Sequence, residues 1–265
     1  MGNKAIRSAG GKAVLTAGAV LALAACSSPG TGATASQSPA EKKTVVVFAA
    51  ASLKGTFTAL ADQLKAEHPE LDVKLNFAGS QDLVAQIKAG AKADVVATAD
   101  LPTMEKLSSA GSLDGAAQNF ASNTLTIAVP PSNPAHITQL SDLAKSGTKT
   151  VLCAPQVPCG AASQKVEKAA GLSIKAVSEE LSVSDVLGKV SSGEADAGLV
   201  YRTDVQGAKG KVTGIDFPQS SSAVNVYAIA KVQGSPDPEG GKLFLDQVTS
   251  AAGQSVLSKA GFGKP

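Results

Sequence analysis

The sequence predicts an α/β protein with a mainly parallel sheet. Short β-favouring apolar runs alternate strictly with stretches whose apolar residues recur at helical spacing. At several junctions a strand ends in small residues, and a serine opens the next helix. The first junction organises the rest. Val45, Val46, Val47 and Phe48 run into Ala49, Ala50, Ala51 and Ser52, after which Leu53, Phe57, Leu60 and Leu64 share one helical face. Ser52 is expected at the N-cap or in the first turn. A helix opening at the carboxyl end of a strand presents unpaired N–H groups and a partial positive charge, which suit an anion. Tight packing alone would also explain the small residues there.

The following elements repeat the pattern. Residues 71–77 alternate as a half-buried strand ending at Ala78, Gly79 and Ser80, beyond which Leu83, Val84 and Ile87 mark a helix. Residues 94–97 read as a third strand, and Asp100 as the cap of a helix containing Met104 and Leu107. Residues 124–129 form a strand closed by Pro130 and Pro131, a candidate crossing into a second domain. There a strand at 150–154 leads through a loop at 157–160 into a helix over 161–170, stopped by Gly171. Ser184 is expected to cap a helix carrying Val186, Leu187 and Val190, and residues 197–201 form a buried strand ending in Tyr201. Strands over 212–217 and 224–230 follow, the latter returning to the first domain, and helices over 242–248 and 251–257 close the fold. His68, ahead of Pro69, suits a surface or C-terminal capping role.

Composition narrows the function. The 265 residues are 43% hydrophobic, enough for one large or two modest domains, while tryptophan is absent and aromatics are 3%, which argues against stacking platforms for nucleic acid or sugars. Net charge is +2, but residues 1–25 carry Lys4, Arg7 and Lys12 and no acid, so 21 basic and 22 acidic residues remain beyond them, a net of −1. No global field is left to recruit nucleic acid, and anion binding must come from local dipoles.

The basic start is followed by an apolar stretch over 13–25, too short for a permanent membrane span and typical of an export signal. It ends Leu23-Ala24-Ala25-Cys26, which resembles a bacterial lipobox. That resemblance implies cleavage before Cys26 and acylation of Cys26, palmitate included. Residues 26–43, rich in Ser, Gly, Thr, Pro and Ala, are expected to tether a lipid-anchored, extracytoplasmic body. Cys153 and Cys159 then lie in a disulfide-permissive compartment, separated by five residues of which two are prolines, and a small disulfide-closed loop is the favoured reading. A redox pair would more usually be Cys-x-x-Cys, and a zinc site would need further ligands.

Set side by side, the junctions are Ala50-Ala51-Ser52-Leu53, Phe77-Ala78-Gly79-Ser80, Val157-Pro158-Cys159-Gly160, Ser184-Asp185-Val186 and Leu199-Val200-Tyr201. In this order and spacing they resemble the molybdate-binding proteins of ABC transporters, across residues 44–262. The resemblance implies a two-lobed, type II periplasmic-binding-protein fold, with residues 44–123 and 224–265 as one lobe and 124–223 as the other. It implies a tetrahedral molybdate or tungstate in the cleft, held by hydroxyl and backbone N–H groups of Ser52 and Ser80, backbone N–H groups of Cys159 and Val186, and the Tyr201 hydroxyl. No protein atom would ligate molybdenum directly. It further implies a monomer with no cofactor and no enzymatic activity, delivering its anion to a membrane permease with a cytoplasmic ATPase. Family members often carry alanine in place of Cys159, which leaves a backbone donor unchanged. Arg202 suits a surface role.

Three other readings compete. Sulfate- or phosphate-binding proteins share the helix-terminus logic. A secreted serine hydrolase lacks the Gly-x-Ser-x-Gly elbow, and neither His68 nor His136 falls in a strand-end loop with a candidate serine. A thiol–disulfide protein using Cys153 and Cys159 is weakened by their spacing.

Overall fold

The computed structural model describes residues 42–265, so the expected signal, Cys26 and all of the tether except Lys42 and Lys43 lie outside the described residues. Among the described residues no helix is long and apolar enough to cross a membrane.

Among the described residues ten strands form two five-stranded sheets. The first contains β1 (Lys43–Ala50), β2 (Leu71–Ala78), β3 (Val95–Thr98), β4 (Leu113–Asn123) and β10 (Asn225–Val232), in the order β2-β1-β3-β10-β4. The second contains β5 (Leu125–Val129), β6 (Thr150–Cys153), β7 (Ser178–Glu180), β8 (Ala197–Tyr201) and β9 (Thr213–Ile215), in the order β7-β6-β8-β5-β9. In each sheet one strand runs against its neighbours: β10 is antiparallel to β3 and β4, and β5 to β8 and β9. Four of the five strands in each sheet run the same way, so each sheet is mainly parallel, as expected, with one reversed strand. The reversed strands are those that follow each passage between sheets. A chain arriving from the other sheet enters at the opposite end, without the helical crossover that makes neighbours parallel.

Helices α1 (Lys54–Glu67), α2 (Ser80–Lys88) and α3 (Leu101–Ser108) follow the first three strands, and α7 (Pro238–Thr249) and α8 (Ala251–Lys259) close the chain. The second sheet carries α4 (Pro158–Ala170), α5 (Val183–Ser191) and α6 (Arg202–Gly207). Val45, Val47, Phe57, Leu60 and Phe244 are fully buried in the core of the first sheet, as are Ile127, Val186, Val190 and Leu199 in that of the second. The helical spacing read from Leu53, Phe57, Leu60 and Leu64 is the buried face of α1 and the turn before it.

Asp100 caps α3 by accepting the Thr103 N–H at 3.0 Å, and Gly171 ends α4 with φ 62°, both as expected. Ser52 lies in the opening turn, as expected, within a short 3₁₀ segment (Ala51–Leu53) that runs directly into α1. Two local assignments change. Helix α4 begins at Pro158, which suits the first helical position because proline has no N–H to satisfy, so Cys159 lies inside the first turn instead of in a loop. Ser182, not Ser184, caps α5, its Oγ accepting the Asp185 N–H. Strand β4 has no counterpart in the sequence pattern, because Asp114, Gly115, Gln118 and Asn119 are poor strand formers. Its pairing to β10 along a sheet edge overrides that preference.

Cys153, at the end of β6, and Cys159 are joined in the structure by a disulfide, with Cα atoms 5.6 Å apart. A loop this short restricts the unfolded chain by about 2 kcal/mol. Replacing both cysteines by alanine is expected to lower the melting temperature by about 4–8 °C. Calorimetric scans of the two proteins check this, and an unchanged midpoint would show that the bridge does not stabilise the fold.

Candidate anion-binding site

The helix starts at the strand ends converge on one cavity of about 20 Å3. It is bordered by the 3₁₀ turn at Ala51 and Ser52, the starts of α2 at Ser80, α4 at Cys159 and α5 at Val183, and Tyr201 at the end of β8. No residue lining it carries a charge. Each helix start aims unpaired N–H groups and the positive end of its dipole at this point, so the cavity is electropositive without a cation.

The hydroxyl groups are held in a specific way. Ser80 is 2% exposed, and its Oγ accepts the Ala99 N–H at 3.0 Å, leaving its own proton to donate. The Tyr201 hydroxyl accepts from Asn225 Nδ2 at 2.9 Å. Ser52 Oγ lies 2.9 Å from the Tyr227 hydroxyl. Burial first, and for Tyr201 the neighbouring Tyr227 next, raises both phenols well above their ordinary range, so they keep their protons. An aromatic chain fixes Tyr227: its ring is 5.4 Å from Phe262, 6.2 Å from Phe120 and 6.0 Å from Tyr201, each edge to face.

Of the five residues expected to bind the ligand, Ser52, Ser80, Cys159 and Tyr201 line the cavity. The N–H of Cys159, in the first turn of α4, has no partner within the helix. Val186 does not line the cavity. Its side chain is fully buried, and its N–H is 3.4 Å from the Ser182 carbonyl, beyond the usual 2.7–3.2 Å range of such bonds. Val183, one turn earlier, faces the cavity there. Arg202 is exposed and pairs with Asp216 at 3.1 Å, so it is a surface residue as expected.

Sequence patterns missed Tyr227, Asn225, Asn123 and Asp204. Asn123 Nδ2 donates to Thr203 Oγ1 at 2.8 Å, and the buried Asp204 carboxylate accepts the Tyr201 N–H at 2.9 Å. Burial pushes the Asp204 carboxyl up to about 7, against the lowering effect of that N–H. None of the four stands in a motif, and only the pairing of β10 with β3 and β4 brings Asn225 and Tyr227 alongside the first junction. Ala51 and Ser52 also border a wider cleft of about 730 Å3, lined further by Lys54, Lys209, Lys259 and Asp204. Among the described residues no three His, Cys, Asp or Glu side chains cluster as metal ligands.

Comparison with known proteins places this architecture. Residues 45–263 match the family described as "Bacterial extracellular solute-binding protein". The chain is 44% identical over 246 residues to the molybdate-binding protein ModA of Mycobacterium tuberculosis (strain ATCC 25618 / H37Rv), covering 93% of this chain and 94% of that one. It is 30% identical over 241 residues to ModA of Escherichia coli (strain K12), covering 87% and 93%. The solved Azotobacter vinelandii periplasmic molybdate-binding protein superposes with a TM-score of 0.74 at 23% identity, covering 83% of this chain and 99% of that one. By its fold, its family match and its relatives, the chain belongs to the bacterial extracellular solute-binding proteins.

Proposed function

We propose that this protein captures molybdate, and tungstate with it, outside the cytoplasm and delivers it to an ABC permease, without enzymatic activity. The observation that carries this reading is the small uncharged cavity on which four helix starts and the hydroxyl groups of Ser52, Ser80 and Tyr201 converge. A molybdate dianion has four oxygens that accept hydrogen bonds and no proton to give at neutral pH, so a site of donors alone suits it. Hydrogen bonds to a charged group contribute roughly 1.5–3 kcal/mol each, and about seven give on the order of 10–20 kcal/mol gross. Anion desolvation and lobe closure oppose this, and micromolar or tighter binding is about −8 kcal/mol or beyond.

In this reading the donors are Ser52 and Ser80 through their hydroxyls and backbone N–H groups, Tyr201 through its hydroxyl, and Cys159 and Val186 through backbone N–H groups. The long Val186 contact to Ser182 supports its release to a ligand. Residues 44–123 with 224–265 form one lobe and 124–223 the other, a division supported by the way every strand of a given sheet falls in one of these ranges apart from Lys43 at the start of β1. The body is a monomer with no affinity for nucleic acid, anchored through a lipid on Cys26, and its Cys153–Cys159 bridge forms on export. A Cys26→Ala chain is expected to be shed from the cells that make it.

Titration calorimetry with molybdate, tungstate, sulfate and phosphate tests the assignment. Molybdate and tungstate are expected to bind tightest, and preference for sulfate would overturn it. Ser52→Ala and Tyr201→Phe each remove one donor and are expected to weaken molybdate roughly 10–100-fold. Cys159→Ala keeps its N–H and is expected to bind within about 3-fold of the parent. Full affinity in both hydroxyl variants would refute the donor set.

A further inference from the structure

Whether the Tyr201 hydroxyl donates into the cavity or accepts from it is decided by Asn225. This residue opens β10, is 6% exposed, and places its Nδ2 2.9 Å from the Ala99 carbonyl oxygen and 2.9 Å from the Tyr201 hydroxyl. A backbone carbonyl only accepts, so the atom facing it must be the amide nitrogen, and the orientation of the amide follows. The nitrogen has two hydrogens and two partners, one for each. The Tyr201 oxygen therefore accepts from Asn225, and its own proton must point elsewhere. The same Ala99 residue donates its N–H to Ser80 Oγ, so one peptide segment sets the polarity of two cavity hydroxyls. The other acceptor near Tyr201 is the Tyr227 hydroxyl, already 2.9 Å from Ser52. A dianion outcompetes that neutral oxygen, because hydrogen bonds to charged acceptors are about twice as strong.

We infer that Asn225 is a positioning residue that commits the Tyr201 proton to the cavity. The inference rests on the function proposed above and names what fixes the donor role of one of that site's hydroxyls.

The test compares the parent protein with Asn225→Asp and Asn225→Leu by titration calorimetry with molybdate, at neutral and mildly acidic pH. Asp has nearly the shape of Asn, but its carboxylate would take the Tyr201 proton and turn that oxygen's lone pairs toward the ligand. Asn225→Asp is expected to lose on the order of 100-fold in affinity at neutral pH, against about 10-fold for Asn225→Leu. Acidification, which protonates the introduced carboxyl, is expected to restore much of the loss. The ionisable groups facing this position are Tyr201 on β8, Tyr227 on β10, Asp100 before α3 and Asp204 on α6. All are present in the parent, so the restoration is read as the change relative to it at each pH.

A purely structural role predicts the reverse order, with the near-isosteric Asp variant the less damaged, and that result, or a pH-independent loss, would overturn the inference. Recovery on acidification shows that the Asp variant is folded, so failure of the Leu variant to fold does not remove the test. If the parent prefers sulfate, the proposed function fails while the same comparison with sulfate still decides the role of Asn225. A parent that binds none of these dianions overturns both.

Discussion

Gly79→Ala is expected to weaken anion binding on the order of 100-fold and to cost the folded protein about 1–3 kcal/mol. Gly79 stands between β2 and α2 with φ −57° and ψ 137°, a conformation open to any residue, so alanine costs nothing locally. A Cβ built there lies 2.1 Å from the Leu181 carbonyl oxygen, which precedes α5 on the second sheet. The clash is with backbone, so no side-chain rotation relieves it, and the α2 and α5 starts that border the cavity must separate. Calorimetric titration with molybdate and a thermal scan check the two halves of this expectation. Parental affinity would show that the approach of Gly79 to Leu181 is not needed for binding.

The second large effect concerns Asp204, which is 9% exposed and whose carboxyl burial pushes up to about 7. In the unfolded chain the same group has a pKa of about 3.9. Below about pH 4 both states hold the proton and the group contributes no pH dependence. Between about 4 and 7 the unfolded chain releases the proton while the folded protein keeps it, so stability falls as pH rises through that window and levels off above it. The fall amounts to about 4 kcal/mol. Asp204→Asn keeps an oxygen to accept the Tyr201 N–H but cannot ionise, so it is expected to remove the slope and to be the more stable protein above neutrality. Urea unfolding of both proteins across this range is the measurement, and parallel pH profiles would refute it. Asp142 acts in the opposite sense. Hydrogen bonding to Lys145, then to the Thr138 N–H, holds its carboxyl well below the usual range, so its contribution is lost only as pH falls below about 4.

The local pattern was informative wherever a residue's role depends on its own strand or helix. The run from Val45 to Leu64 determined by itself a buried strand, a turn of small residues and an amphipathic helix, because burial on one face imposes that spacing. Ser80, Cys159 and Tyr201 were legible for the same reason, each standing at a strand-to-helix junction. Sequence spacing also brought Cys153 and Cys159 within bridging distance, since few residues separate them.

Only the tertiary structure decided which hydroxyl groups meet at the cavity. Asn225 and Tyr227 lie far along the chain from Ser52 and Ala99, and no period or motif marks them. They arrive beside the first junction because β10 inserts, reversed, between β3 and β4, a pairing that depends on long-range packing and on a poorly strand-forming β4. The placement of α5 is decided the same way: the Ser182 cap sets the helix start two residues earlier than Ser184 suggested and brings Val183 to the cavity wall. Hydrogen-bond polarity belongs to partners distant in sequence, so the chain alone specified the strand-to-helix junctions. Its folding determined which hydroxyl groups meet at them.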